Sequence, residues 1–324
     1  MAVSPLDISI KIFPVFFIIC SGVAIRRLNW LKPEGDSSLI KLLINVLMPC
    51  LAFTHIVNNP ALQNPSNLWL PPLTGVISIL LGIGIGWLAM RWFRPGAHKP
   101  RRTFALTVGI FNYGYFAIPL ALALYGEHVV GVQFLFNLGV EATLWSVGVA
   151  LLRNPGEANS FWENIRLSIT PPVVAIFISM LLNVSGIGLH IPDAVIGASD
   201  LLGRCAIPIG VLLVGANLHD LVRDNKDWYK DWQIPLLACF LRLLLVPIIF
   251  LLICRVLPLT DELSRVCVIA ASVPSGIFPI VMARIYGGDT LVALRVVIST
   301  TLVGVFTIPL WISFGEQFLS VRVP

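Results

Sequence analysis

The sequence predicts an all-α polytopic membrane protein: ten transmembrane helices in a five-plus-five inverted repeat, with broken helices at spans four and nine. Three observations predict it. The 324 residues are 57% hydrophobic and only 12% charged, with a mean hydropathy of +0.88, far from the composition of soluble domains. A spanning helix needs about 20 mostly apolar residues, and the chain offers ten such runs. Two of those runs, half a chain apart, are interrupted by proline and glycine in the same manner.

The runs lie at 8–25, 38–57, 69–93, 102–125 and 128–151, then at 170–188, 195–218, 233–257, 263–286 and 289–314. The first has the length of a secretory signal. It lacks a charged n-region and a small-residue cleavage site, and its basic residues Arg26, Arg27 and Lys32 follow it, so it reads as a retained span. Connections between runs are short. Residues 1–151 therefore read as one five-helix repeat, 152–169 as a short cytoplasmic linker and 170–324 as the second repeat, all within one membrane domain. The cysteines Cys20, Cys50, Cys205, Cys239, Cys254 and Cys267 fall in or beside apolar runs, without CxxC spacing or clustered histidines. They read as buried free thiols, and no metal or cofactor is expected.

Basic residues fix the expected orientation. With the N-terminus outside, the inner loops hold Arg26, Arg27, Lys32, Arg91, Arg94, Lys99, Arg101, Arg102, Arg153, Arg166, Arg223, Lys226 and Lys230, with Arg284 near the last. The outer loops NNPALQNPSN, GEH and HIPDA hold none, leaving Arg255, Arg265 and Arg322 on that side. Both termini are thus expected outside a cytoplasmic-type (plasma) membrane. The net charge of +5 is accounted for by topology and implies no nucleic-acid partner. Trp30, Trp69, Trp92, Trp162, Trp228, Trp232 and Trp311 stand near span ends, as interfacial belts do.

The fourth run contains FNYGYFAIPLALALYG, with Asn112, Gly114 and Pro119 inside hydrocarbon-like sequence. Proline lacks a backbone N–H and clashes with the carbonyl four residues back, so a continuous helix is not expected there. FPIVMARIYGGDTLVA, after Pro274, Ser275 and Gly276, repeats that character around Pro279 in the ninth run. LINVLMPCLAF in the second run likewise resembles LGRCAIPIGVL in the seventh. A shift of five spans relates both pairs, and because five is odd the halves must be inverted in the membrane. Interrupted helices at matching places in inverted halves point to a secondary transporter with its site near the midplane. Freed backbone groups there could meet a solute, and half-helix N-termini favour an anion.

These stretches, with PPVVAIFISMLL, LGRCAIPIGVLLVGANL and STTLVGVFTIPLWISF, resemble the auxin efflux carrier family, which includes bacterial organic-acid permeases and plant PIN-type exporters. The resemblance implies a scaffold from spans one, two, six and seven, a moving domain from spans three to five and eight to ten, and a homodimer formed through the scaffold. It also implies a substrate carboxylate beside the crossing of spans four and nine, at Asn112. Two departures stand out. The central segment LRNPGEANSFWENIRLSITPP is short where plant exporters often carry a long loop, and Glu141 stands where relatives commonly carry an amide, which argues against auxin itself as substrate.

The polar residues inside spans each need a reason, since a central charge costs about 2.5 to 3.5 kcal/mol to insert. Asn112, Tyr113, Gly114, Pro119, Ser275, Gly276 and Pro279 are the expected substrate-binding lining. For Asn112 the alternative is an interhelical bond that only stabilises the crossing. Glu141 shares a face with Asn137, Trp145 and Gly148. It could carry a coupling proton, or be neutralised by Arg242 or Arg295. Arg204 follows Asp200 by four residues, an ion-pair spacing, and anion capture is its alternative role. Arg242 and Arg295 could attract an anion, snorkel or pair. Asn45 sits four residues before Pro49 as Arg204 does before Pro208.

No GxxxxGK[ST] loop and no nucleophile constellation is present, so neither an ATP-driven pump nor an enzyme is expected. The expectation is a secondary or facilitative carrier exporting a small organic acid by alternating access. Its rivals are a sodium-coupled importer like the bile-acid symporters and, from another class, a non-transporting membrane sensor.

Overall fold

The computed structural model describes residues 5–94, 96–153, 166, 168–225 and 230–319. Most of the expected linker 152–169, including Trp162, lies outside them, as do Lys226, Trp228 and Arg322. The described residues form helices: α1 (Pro5–Arg27), α2 (Pro33–Ile56), α3 (Ser66–Phe93), α4 (His98–Gly109), α5 (Ala117–Tyr125), α6 (Glu127–Leu152), α7 (Pro171–Val184), α8 (Asp193–Asp224), α9 (Gln233–Val256), α10 (Asp261–Ser272), α11 (Phe278–Ile285) and α12 (Thr290–Phe318). Seven of these, α1, α2, α3, α6, α8, α9 and α12, are long and apolar enough to cross a membrane. The sixth run yields only the 14-residue α7. The fourth and ninth runs each yield two short helices, α4 with α5 and α10 with α11.

Local chemistry sets several boundaries. Thr260 caps α10, its Oγ1 accepting from Leu263 N at 3.2 Å, with Asp261 and Glu262 in the favourable first turn. Asp289 caps α12 by accepting from Leu291 N and Val292 N, both at 3.1 Å. Gly126 ends α5 at φ +82°, a backbone region that side chains disfavour, and α6 begins at once. Single π-helical turns interrupt α2 at Leu43–Leu47, α6 at Leu144–Gly148 and α9 at Leu241–Leu245. Such turns release carbonyls from the regular ladder. Leu243 O uses its freedom to accept from Trp311 Nε1 at 2.6 Å, so that tryptophan ties α12 to α9 as well as standing near a span end.

Two groups of helices emerge from the packing. In one, α1 lies along α8, and α2 packs on both α7 and α8. In the other, α3 packs on α4 and α6, α10 on α6 and α12, and α12 on α4 and α9. Between the groups, α1 touches α5 and α12, and α2 touches α6. With no hydrophobic drive between helices in lipid, close backbone approach supplies the cohesion. Gly22 and Gly215 meet where α1 crosses α8, and a Cβ on either would collide with a backbone carbonyl, Leu212 O or Ile19 O. Gly75 and Gly139 serve α3 and α6 in the same way, against Phe136 O and Pro72 O.

The cysteines correct one expectation. Cys254 and Cys267 are buried, but Cys20 and Cys205 are exposed on the outer faces of α1 and α8. An apolar run signals lipid contact as readily as burial, and sequence cannot separate the two. Trp30, Trp69, Trp92 and Trp232 are exposed near helix ends.

Candidate functional site

The two interrupted runs meet. After α4 ends at Gly109, residues Ile110 to Asn112 run extended beside Val273 to Gly276, which follow α10. Phe111 pairs antiparallel with Ser275. Asn112 N donates to Pro274 O and Gly276 N to Ile110 O, both at 2.9 Å. Each broken helix leaves backbone groups that hydrocarbon cannot satisfy, and here the two breaks satisfy each other. Gly276 permits the approach, since a Cβ there would lie 3.0 Å from Phe111 O.

The breaks precede the prolines rather than falling on them. Pro119 is the third residue of α5 and Pro279 the second residue of α11. In a first turn the missing N–H has no helical acceptor to lose and the proline φ suits the helix. Pro119 thus starts the second half-helix, and the interruption belongs to residues 110–116.

Asn112 is 6% exposed and acts partly as a cap: its Oδ1 accepts from Tyr115 N at 3.1 Å. The Nδ2 group has no partner among the described residues. Two residues on, a Cβ on Gly114 would meet nothing within 4 Å, so the same loop has open space at that position. Tyr113 Oη donates to Glu141 Oε1 at 2.6 Å, and Trp145 Nε1 donates to Glu141 Oε2 at 2.9 Å. No lysine or arginine pairs with Glu141 among the described residues. Asn137 Nδ2 donates to Tyr113 O at 3.3 Å, and Gln133 Nε2 donates to Asn137 Oδ1 at 2.8 Å. Trp145 in turn meets Phe278 edge-on, with centroids 5.5 Å apart. Across the crossing, Ser275 N donates to Thr300 Oγ1 at 3.3 Å. Ser275 Oγ and Gln133 Oε1 are buried without a hydrogen-bond partner.

The three arginines separate. Arg242, in the π turn of α9, is fully buried and reaches the crossing. Its Nε donates to Val273 O at 3.1 Å, and Nη2 donates to Ala270 O at 2.8 Å and Val273 O at 2.9 Å. Its guanidinium also lies 5.1 Å from the centroid of the Phe111 ring. One side chain therefore holds the carbonyl end of α10 and the opposing strand together. Arg295 is elsewhere, donating to Asp231 Oδ2 at 3.2 Å, where Arg94 also binds Asp231 through both carboxylate oxygens. Arg204 pairs with Asp200 at 2.7 Å on an exposed face of α8, away from the crossing.

The crossing combines an unpartnered amide donor, the N-termini of two half-helices and one fixed guanidinium, each able to interact with an anion, beside the Glu141 carboxylate. Its first-half loop reaches the other helix group: Phe116 lies edge-on to Phe16 of α1 at 6.0 Å, and the Tyr115 ring occupies the space a side chain at Gly210 of α8 would need. Gln133, Phe111 and Phe278 were not among the expected lining. Extending the four-residue stride of Asn137 and Glu141 back one turn would have found Gln133. The two phenylalanines carry no signal in an apolar run.

Comparison with known proteins identifies the family. The chain is 25% identical over 303 residues to an uncharacterized transporter of Methanothermobacter thermautotrophicus, covering 93% of this chain and 96% of that one. It is 22% identical over 312 residues to the uncharacterized transporter MJ1031 of Methanocaldococcus jannaschii, covering 95% and 97%. To the uncharacterized transporter YfdV of Escherichia coli it is 22% identical over 318 residues, covering 93% and 95%. These are transporters, not enzymes, and the profile of the membrane transport proteins matches residues 7–312. This chain, a multi-pass membrane protein, belongs to that family, the family of the auxin efflux carriers.

Proposed function

We propose that this protein is a secondary active or facilitative carrier that exports a small organic anion by an elevator-like alternation, binding the substrate carboxylate at Asn112. The observation that carries the reading is the Asn112 amide, whose oxygen is spent capping the loop while its N–H groups stay free, in a loop that also has open space at Gly114. Two half-helix N-termini and Arg242 add the positive potential that an anion seeks. Glu141, held by Tyr113 and Trp145 without a cationic partner, is the group we assign to coupling.

In this reading the chain has ten spans as a five-plus-five inverted repeat, with α4 plus α5 and α10 plus α11 as its broken fourth and ninth spans and α7 as its sixth. The group of α1, α2, α7 and α8 is the scaffold, and the remaining helices move against it. The basic residues between spans support a reading with both termini outside the plasma membrane. A homodimer through the scaffold is supported by the exposed Asp200–Arg204 pair and exposed Asn45, polar groups that are costly against lipid. Oxidative cross-linking through exposed Cys205 tests that contact, and its absence in proteoliposomes would remove this support.

The function is tested by solid-supported-membrane currents from proteoliposomes offered short dicarboxylates, hydroxy acids and aryl acetates, with and without proton or sodium gradients. Saturable current for one acid, lost in a folded Asn112→Ala variant, is the expected result. Normal current in that variant would remove the assigned site. A strict sodium requirement would favour a sodium-coupled importer.

A further inference from the structure

We infer that the junction of α3 and α4 carries a binding site for the phosphate of an anionic membrane lipid, held by Arg91 and Arg101 around Trp87. The guanidinium of Arg91, one turn along α3, lies 5.6 Å from the Trp87 ring centroid. That of Arg101, from α4, lies 5.3 Å from the same centroid. Two cations thus share one indole, and neither has a carboxylate partner among the described residues. Two nearby arginines are committed elsewhere: Arg94 to Asp231, and Arg102 Nη1 to the carbonyl of Arg153 at 3.0 Å.

Snorkelling accounts for exposed Arg91 but not for Arg101. Arg101 is only 8% exposed, and its Nε is buried without a hydrogen-bond partner. Its one side-chain hydrogen bond among the described residues joins Nη2 to His98 Nδ1 at 2.6 Å, so no carboxylate answers its charge. The helix itself makes the arrangement less favourable still. The first turn of α4 contains His98, Lys99 and Arg101, has no acidic residue, and lacks a side-chain cap at Ala97. Positive side chains at a positive helix end repel it, and an oxyanion seated there would answer both the dipole and the arginines. The neighbouring surface identifies the source of that oxyanion. Leu88, Trp92 and Phe93 of α3 are exposed at 53%, 81% and 42%, an apolar flank suited to acyl chains and not to a soluble phosphate.

The full chain in neutral detergent micelles tests this by native mass spectrometry and thermal unfolding with added phosphatidylglycerol, phosphatidylcholine or inorganic phosphate. Phosphatidylglycerol should be retained and raise the unfolding temperature, while phosphatidylcholine should do neither. Arg91→Gln with Arg101→Gln should weaken its apparent affinity by about 30-fold, each arginine near a lipid surface contributing a factor of about five. Arg27→Gln with Lys41→Gln, which removes the same charge from exposed positions elsewhere, should leave it unchanged. Equal loss in that control pair, or equal binding of phosphatidylcholine, would overturn the site. Stabilisation by inorganic phosphate matching that by the lipid would overturn the lipid as its ligand. The wild-type lipid comparison decides the matter even if the double variant does not fold.

Discussion

Arg242 offers the sharpest test of how the crossing is held. Its guanidinium makes three bonds to two carbonyls, Ala270 O and Val273 O, and lies over Phe111 of the opposite strand. Arg242→Lys keeps the buried charge, so the desolvation cost largely cancels and the geometry is isolated. A single ammonium, with a shorter overall reach and no planar fork, cannot serve both carbonyls while covering the ring. The loss is about one charged hydrogen bond, roughly 1.5–3 kcal/mol. Arg242→Met removes every bond and leaves both carbonyls unpaired, at about 1–3 kcal/mol each, but recovers several kcal/mol by no longer burying an ion. Global stability should therefore change little in the Met variant, whereas the crossing itself loosens.

Hydrogen exchange separates the two levels. The amides of Asn112 and Gly276 are bonded across the crossing, to Pro274 O and Ile110 O. In Arg242→Lys they should exchange about 10- to 150-fold faster, the factor that 1.5–3 kcal/mol of local opening gives. Substrate current should fall in the order arginine, lysine, methionine, while the midpoint of thermal unfolding moves little in the Met variant. Unchanged exchange at Asn112 and Gly276 in both variants would refute the argument, because it would mean that the paired strands hold without the guanidinium.

Three further outcomes are expected. Gly276→Val should push the strands apart, because even its Cβ would stand 3.0 Å from Phe111 O, and should cost about 1–3 kcal/mol of stability by denaturant titration together with transport. Gly114→Leu, in contrast, enters open space, so the unfolding temperature should hold while current is lost; a variant that transports normally would place the substrate elsewhere. Glu141→Gln keeps an acceptor for Tyr113 but presents an NH₂ where Trp145 Nε1 donates, so it should remain folded and lose its response to a proton gradient, and a retained response would take coupling away from this residue.

What the sequence made legible was the pattern of covalent constraint. Asn112, Gly114 and Pro119 announced a break in the fourth run, and Ser275, Gly276 and Pro279 a matching one in the ninth, because proline restricts the backbone and glycine frees it, and both disfavour a continuous helix wherever they stand. The place of the break was less legible. Pro119 looks like its cause, yet it sits inside the first turn of α5, where its missing N–H costs nothing. The arginines were less legible still. Arg204, Arg242 and Arg295 are alike as intramembrane cations, but one lies against Asp200 on an outer face, one on Asp231, and only Arg242 at the crossing. Which carbonyl or carboxylate a long side chain reaches depends on helices distant in sequence, and no local spacing encodes that except the four-residue step from Asp200 to Arg204.

The crossing also shows why a repeat in sequence need not be a repeat in charge. Two half-helices, α4 and α10, bring their negative C-terminal ends to the same place, and burial away from water makes each end costly. At α10 the compensation is electrostatic, through Arg242. At α4 the neighbouring position on α3 is Gly82, whose Cα face lies so close to Gly109 that a Cβ would stand 2.6 Å from the Gly109 Cα. That end is closed by backbone packing and carries no added charge. One half therefore contributes a cation and the other contributes fit, so the two ends of the crossing differ in charge although their backbones correspond. Both strands and the guanidinium that joins them lie in the same group of helices, so this asymmetry is built within one group and does not depend on contacts with α1, α2, α7 or α8.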